Sequence, residues 1–381
     1  MFARACLFAA AASVALSAAS AEAGHKFQVL YSFSGKADGA NPHGALLQDK
    51  QGNLYGTTVQ GGSHGYGVVF RLSPDGTQTP LYSFSGGEDG HYAYGGLVQD
   101  KTGNLFGVTI FGGAYGEGNV FRLDSAGNVK VLHAFAGRPD GSTPESGLTL
   151  DNAGNLYGTT PYGGYGPGTV YKLAPDGTES ILHNFADGAH DGAYPYGGVT
   201  MDARGNMYGT TNDGGWDGMQ QGPGIVYKLS AHGKFRVLFH FDAGNNGGYP
   251  AAAPALDASG NLYGTTIAGG AFGEGILYKL APDGRFTVLH SFAGGNDGEY
   301  GIGRPVIDVN GTLYGVTQEG GGACDCGTVF SLTPDGTYSV LHRFAGSEPG
   351  DGLTIDRRGN LFGTAYEGGK NNAGVIFKIG R

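Results

Sequence analysis

Gly52-Asn53-Leu54-Tyr55-Gly56-Thr57-Thr58 decides how the rest of the chain is read, because variants of it occur seven times. The motif starts again at Gly103, Gly154, Gly205, Gly260, Gly311 and Gly359, in steps of 51, 51, 51, 55, 51 and 48 residues. Self-similarity at such a period marks a repeat architecture in which each copy is one small structural unit. In the first full copy, strand-like segments fall at 44–49, 53–58, 68–72 and 81–84, separated by Gly-, Pro- and Asp-rich turns such as Ser73-Pro74-Asp75-Gly76-Thr77. No helical periodicity appears outside the N-terminal leader, so the fold class is all-β. Seven periods of four strands predict a seven-bladed β-propeller, an arrangement that protects its sheet edges. The ends of the chain add a reason. A lone segment at 27–33 matches the fourth strands at 129–135 and 340–344, and the chain stops after a third strand at 375–379. The N-terminal strand is therefore expected to complete the last blade and close the ring.

The 381 residues include 76 glycines without a triplet period, 40% hydrophobic and 12% aromatic residues, which excludes collagen and disorder. A net charge of −10 argues against nucleic acid or an anionic membrane surface as partner. Residues 1–23 read as a secretory leader, with Arg4, an apolar run over 6–16 and Ala21-Glu22-Ala23 as the cleavage site. Residues 24–381 are expected to form one domain. No later segment is long and apolar enough to span a membrane, and no hydrophobic tail is seen at Gly380-Arg381. The expectation is a secreted or periplasmic monomer. Cys324 and Cys326 alone follow the leader, so disulfides do not hold the fold together.

The repeated Gly-Asn-Leu-Tyr-Gly-Thr-Thr-x-x-Gly-Gly, followed by Val-Phe-Lys/Arg-Leu and Pro-Asp-Gly, resembles the GloVer tandem-repeat family of exported bacterial, β-propeller-like proteins. The resemblance covers essentially all of 25–379. It implies an exported repeat protein, often tethered to the surface through one of several anchors, with no established family activity. The missing C-terminal anchor departs from that pattern. Kelch repeats carry a Trp in most blades, whereas this chain has only Trp216, and the WD signatures are absent.

Most recurrent polar residues read as structure. His133, His183, His290 and His342 share a register with Tyr31, Tyr82 and Phe239, as expected of a packing position that accepts any flat ring. Asp38, Asp89, Asp140, Asp191 and Asp297 precede Gly in the crossovers, where Asp suits a turn better than a calcium ring. Cys324-Asp325-Cys326 falls short of a zinc site, and either a local disulfide or two free thiols would fit there. The glycine loops feed no helix, so they are not phosphate cradles. No metal and no cofactor are expected.

The exception appears when the repeats are aligned on Asp49, Asp100, Asp151, Asp202, Asp257, Asp308 and Asp356. Six residues upstream stand His43, Tyr94, Glu145, Tyr196, Ala251, Ile302 and Gly350, a column too diverse for packing. Arg304 replaces Ala or Gly beside this column, and Asp351 replaces Gly, Ser or Ala. In a propeller these groups would meet at the mouth of the central channel, on the face that carries the variable loops. The enlarged fourth glycine loop adds Trp216. The expected function is non-enzymatic binding of a glycan or cell-surface ligand, with Tyr94, Tyr196 and Trp216 stacking and His43, Glu145, Arg304 and Asp351 hydrogen-bonding. The alternatives are a polysaccharide lyase using His43 or Tyr94 with Arg304, a glycoside hydrolase using Glu145 and Asp351, and a structural envelope protein.

Overall fold

The computed structural model describes residues 25–188, 190–215 and 222–381. Residues 1–23, expected to be a leader, and Trp216 lie outside the described residues. All regular structure among the described residues is β, and none of it is a helix able to cross a membrane.

The third repeat shows how one unit is built. Thr149–Leu150, Leu156–Thr160, Thr169–Leu173 and Glu179–Asn184 form a four-stranded antiparallel sheet in chain order. Asp151 makes its first turn. Its Oδ1 accepts the N–H groups of Ala153 and Asn155, and its Oδ2 accepts Asn155 Nδ2 at 2.7 Å and Tyr157 Oη at 3.1 Å. The recurring Asn and Tyr of the motif are thus partners of one carboxylate, an Asx-type turn extended into the second strand. The motif's central glycine has a different cause. A Cβ on Gly158 would sit 2.5 Å from Tyr171 Oη, and one on Gly56 would sit 2.7 Å from Phe70 Cζ. The large ring of the third strand covers this position and leaves no space for a side chain.

The two threonines of the motif divide their work. Thr58 Oγ1 donates to Gln60 O and accepts the Val68 N–H, holding its own glycine loop. The preceding threonine reaches the next repeat: Thr210 Oγ1 donates to Ala252 O at 2.9 Å, and Thr364 Oγ1 donates to His43 O at 3.3 Å. Thr149, Thr200 and Thr354 add a second set of links, to the carbonyls of Val199, Pro254 and Leu46.

Apolar side chains gather between repeats as well as within them. One cluster joins Phe33, Leu54 and Phe70 to Phe362, Ala373 and Ile376, so residues from both ends of the chain share a core. Another packs Phe135 and Leu148 with Phe106, and the remaining clusters lie between consecutive repeats. Lys26–Ser32 pairs antiparallel with Val375–Gly380, from Lys26 opposite Gly380 to Ser32 opposite Val375. At the other edge of that sheet, the first strands of the sixth and seventh repeats meet in a parallel bridge, Arg304 to Gly352.

The short turns lie together, as the Gly154–Pro175 and Gly260–Pro282 contacts show. The glycine loops instead bond to the crossovers: Gly62 N–H to Lys36 O, and Gly113 N–H to Gly87 O. One face therefore carries near-identical turns and the other carries the variable segments.

Candidate functional site

The inner strands approach too closely for side chains at several points. A Cβ on Gly44 would lie 2.6 Å from Gly96 N, one on Gly95 2.5 Å from the Ser146 carbonyl carbon, and one on Gly350 2.2 Å from His43 O. Around these strands lies a cavity of about 500 Å³. Its floor is Gly, Ala and Leu, and its polar lining includes Tyr94, Glu145, Tyr196, Arg304 and Asp351. These side chains come from the second, third, fourth, sixth and seventh repeats.

His43 flanks the cavity. Its ring stacks on Tyr94 at a centroid distance of 3.6 Å, with Tyr366 edge-on at 6.0 Å. Nδ1 lies 3.3 Å from Asp351 Oδ2 but off the axis of a hydrogen bond. Burial lowers the His43 pKa, outweighing the opposing pull of Asp351 and Glu348. Glu145 is pushed the other way: burial, with the Asp351 charge added, raises its carboxyl to about 7. The same burial, and the charges of Asp351 and Glu145, hold Tyr94 in its phenol form. Across the mouth, the hydroxyls of Tyr196 and Tyr162 are 3.0 Å apart, tying the cavity wall to the third glycine loop.

Arg304 does not join this group. Its Nη1 donates to Thr200 Oγ1 at 3.3 Å, and burial alone lowers its pKa. The side chain keeps solvent-accessible surface although protein surrounds it, which is the condition of a group lining an open cavity. Arg304 thus lines the cavity with Thr200 as its hydrogen-bond partner. Trp216 falls outside the described residues.

Eight residues before the turn aspartate, Asn41, Tyr92, Thr143, Tyr194, Tyr249 and Tyr300 adopt left-handed φ of 52–58°. For bulky residues this is a rare conformation, kept only where the surroundings fix it. Here the surroundings are the preceding glycine loop: Tyr194 N–H bonds to Pro167 O, Tyr249 to Pro223 O and Tyr300 to Glu274 O. The arrangement brings Tyr194 within 5.6 Å of Tyr162 and 6.4 Å of Tyr196. Exposed aromatic residues also stand on the glycine loops at Tyr66, Tyr115, Tyr165 and Phe272. Sequence reasoning missed both sets, although a column of four tyrosines two residues before the mouth column was there to be read.

The outer-strand rings do more than pack. Tyr31 and Tyr82 donate to Asp38 and Asp89 at 2.9 Å, and Nε2 of His133, His183 and His290 lies 2.9–3.0 Å from Asp140, Asp191 and Asp297. Phe239 and His342 have no such aspartate, and the chain carries Gly or Pro near the corresponding positions. Ring and turn residue are one polar pair where expectation had two separate features. Cys324 and Cys326 are joined in a disulfide.

A model of the Gloeobacter/Verrucomicrobia repeat matches residues 18–166 and 216–381. The chain belongs to that repeat family. No curated protein matches it. Among solved structures it is similar to a streptogramin B lyase, with 15% identity, a TM-score of 0.61 and coverage of 93% of this chain and 97% of the other. It is also similar to a catalytically inactive virginiamycin B lyase from Staphylococcus aureus solved with quinupristin, at 14% identity and TM-score 0.64, covering 94% and 100% of the two chains. A puromycin hydrolase variant gives 15% identity and TM-score 0.56 over 88% of this chain and 52% of the other. These likenesses place the fold among propeller-like proteins.

Proposed function

We propose that the seven repeats are the blades of one closed β-propeller, exported by the leader at 1–23, whose channel mouth binds a glycan or similarly hydroxyl-rich cell-surface ligand. Closure is supported by contacts between the ends of the chain: Lys26–Ser32 pairs with Val375–Gly380, Thr364 bonds to His43 O, and Asp351 N–H donates to the same carbonyl at 2.9 Å. The observation that carries the binding reading is the convergence of Tyr94, Glu145, Tyr196 and Asp351, from four repeats, on one 500 Å³ cavity. A space of that size with apolar floor and few convergent polar groups suits a small ligand. Phenol rings offer flat faces to sugar rings, and carboxylates accept from hydroxyls.

One observation favours a second reading. Glu145, raised to about 7, and the exposed Asp351 give the cavity one carboxyl that keeps its proton in mildly acidic water and a second carboxyl facing the same space. That division is what acid-assisted glycoside hydrolysis requires. Arg304, the cation that the lyase alternative needs, lines the same cavity with its Nη1 on Thr200 Oγ1.

The test is a panel of cell-wall and exopolysaccharide oligosaccharides offered to the full chain, reading retention and new reducing ends together. Retention without release, weakened in Tyr94→Ala, is the expected result. Release of reducing ends that disappears in Glu145→Gln selects the hydrolase reading. Neither retention nor release from any glycan overturns both.

A further inference from the structure

At four joints between repeats, the ring of one outer strand stacks on an aromatic residue at the start of the next outer strand. His183 stacks on Phe235 at 3.9 Å, Phe239 on Phe286 at 3.8 Å, His290 on Tyr338 at 3.7 Å and His342 on Phe27 at 3.6 Å, all within 4° of parallel. At the joints of the first two repeats, Gln78 donates through Nε2 to the carbonyl of Asp38, the partner of Tyr31, and Tyr82 and Val129 pack against one cluster. The joint between the second and third repeats departs from all of these: the residue facing His133 is Glu179.

Three ligand-type side chains meet there. His133 Nε2 lies 3.0 Å from Asp140 Oδ2 and 3.8 Å from Glu179 Oε1, and the three ligand atoms all lie within 4.8 Å of one another. Tetrahedral zinc with bonds of 2.0–2.2 Å spaces its ligand atoms about 3.4 Å apart, so these separations bracket what one ion needs. Asp140 is already oriented: Ala136 N–H donates to its Oδ2 at 3.0 Å and Gly141 N–H to its Oδ1 at 2.7 Å. Supporting hydrogen bonds of this kind fix a ligating carboxylate. The second, independent observation is Glu179 Oε1, a buried oxygen that no N–H or hydroxyl group of the fold reaches and whose one close polar neighbour besides His133 is the Asp140 carboxyl. An unpaired buried carboxylate oxygen costs free energy unless something positive reaches it.

We propose that His133, Asp140 and Glu179 hold one divalent transition-metal ion of the zinc class, clamping the second repeat to the third. The mixed imidazole and carboxylate set suits zinc better than calcium, which takes oxygen ligands only. Three protein ligands leave one coordination position for water. The site is separate from the channel mouth and does not depend on what binds there. His183–Asp191 and His290–Asp297 are internal controls, each with the same pair but an aromatic residue where the third ligand would stand.

The test uses the full chain, stripped with EDTA and titrated with zinc chloride. Calorimetry should show one equivalent bound, and the melting temperature should rise by about 2 °C or more at a hundredfold excess over Kd. Glu179→Phe, which restores the stacked arrangement of the other joints, should fold and lose both responses. Should that variant fold poorly, Glu179→Gln keeps the shape and should bind at least tenfold more weakly. A proton shared by Asp140 and Glu179 is the competing arrangement, and it gives no zinc response. Wild-type protein that takes up no stoichiometric zinc, or a folded Glu179 variant that takes up as much as wild type, overturns the proposal.

Discussion

The two faces of the repeat obey opposite rules. On the turn face, Asp49, Asp151, Asp202 and Asp257 each bind the Asn four residues on and the Tyr six residues on, with the same partners and nearly the same distances. On the other face, equivalent positions hold an imidazole, phenols, a carboxyl, methyl groups and a glycine, and Tyr94, Glu145 and Tyr196 line one cavity. Local hydrogen bonding explains the first pattern without any ligand. It does not explain the second, because a residue whose task is to fold its own repeat has no reason to differ between copies. Repetition here is the signature of structure, and departure from repetition marks where to look for chemistry.

Four changes bear on that contrast. The largest effect should come from deleting 25–33, which unpairs Val375–Gly380 and opens the core shared by both chain ends. The cooperative thermal transition should be lost, read by circular dichroism, and the protein should associate through the exposed edge. A repeat array that ignores the deletion would contradict ring closure. Next is Gly158→Ala, whose Cβ meets Tyr171 Oη; it should cost about 1–3 kcal/mol in denaturant unfolding, whereas Ala at Gly87, which has room for a Cβ and no positive φ, should cost less.

The other two are titrations of opposite sign. His342, stacked on Phe27 without an aspartate, is pushed down to about 4 by burial. Its contribution to stability is complete above pH 6.5 and is lost as pH falls toward 4. His342→Phe should remove about 1–2 kcal/mol of that acid sensitivity, a figure reduced for the partial exposure of the ring. Glu145 is raised to about 7, so the folded state holds its proton between pH 4.5 and 7 while the unfolded chain does not. Stability therefore falls as pH rises through that window. Glu145→Gln should remove a component on the order of 1 kcal/mol, after allowance for water in the channel. Urea unfolding at pH 5 and pH 8 measures it, and equal pH slopes for variant and wild type would place Glu145 outside the buried mouth.

The motif made the sheets legible, because Gly-Asn-Leu-Tyr-Gly-Thr-Thr encodes a turn, a strand, one lateral hydrogen bond and one bond to its own glycine loop in consecutive residues. The mouth was legible where a column broke its own rule, as at Tyr94, Glu145 and Tyr196. Arg304 was legible as a departure beside the same column, but its hydrogen bond to Thr200 was not, since the alignment supplies a position on a strand and not the direction of a long flexible side chain. The pairing of His133 with Asp140 was hidden because the two residues repeat as separate features seven positions apart. Glu179 was invisible for a related reason: its partners belong to another repeat, and only packing of one outer strand against the next brings them together.

The most direct test is titration calorimetry of the full chain with the best-retained oligosaccharide, repeated on Tyr94→Ala. If the channel mouth is the binding site, the variant should bind at least tenfold more weakly while melting within a few degrees of wild type. Equal affinity in a folded variant would contradict the assignment of the ligand to this cavity.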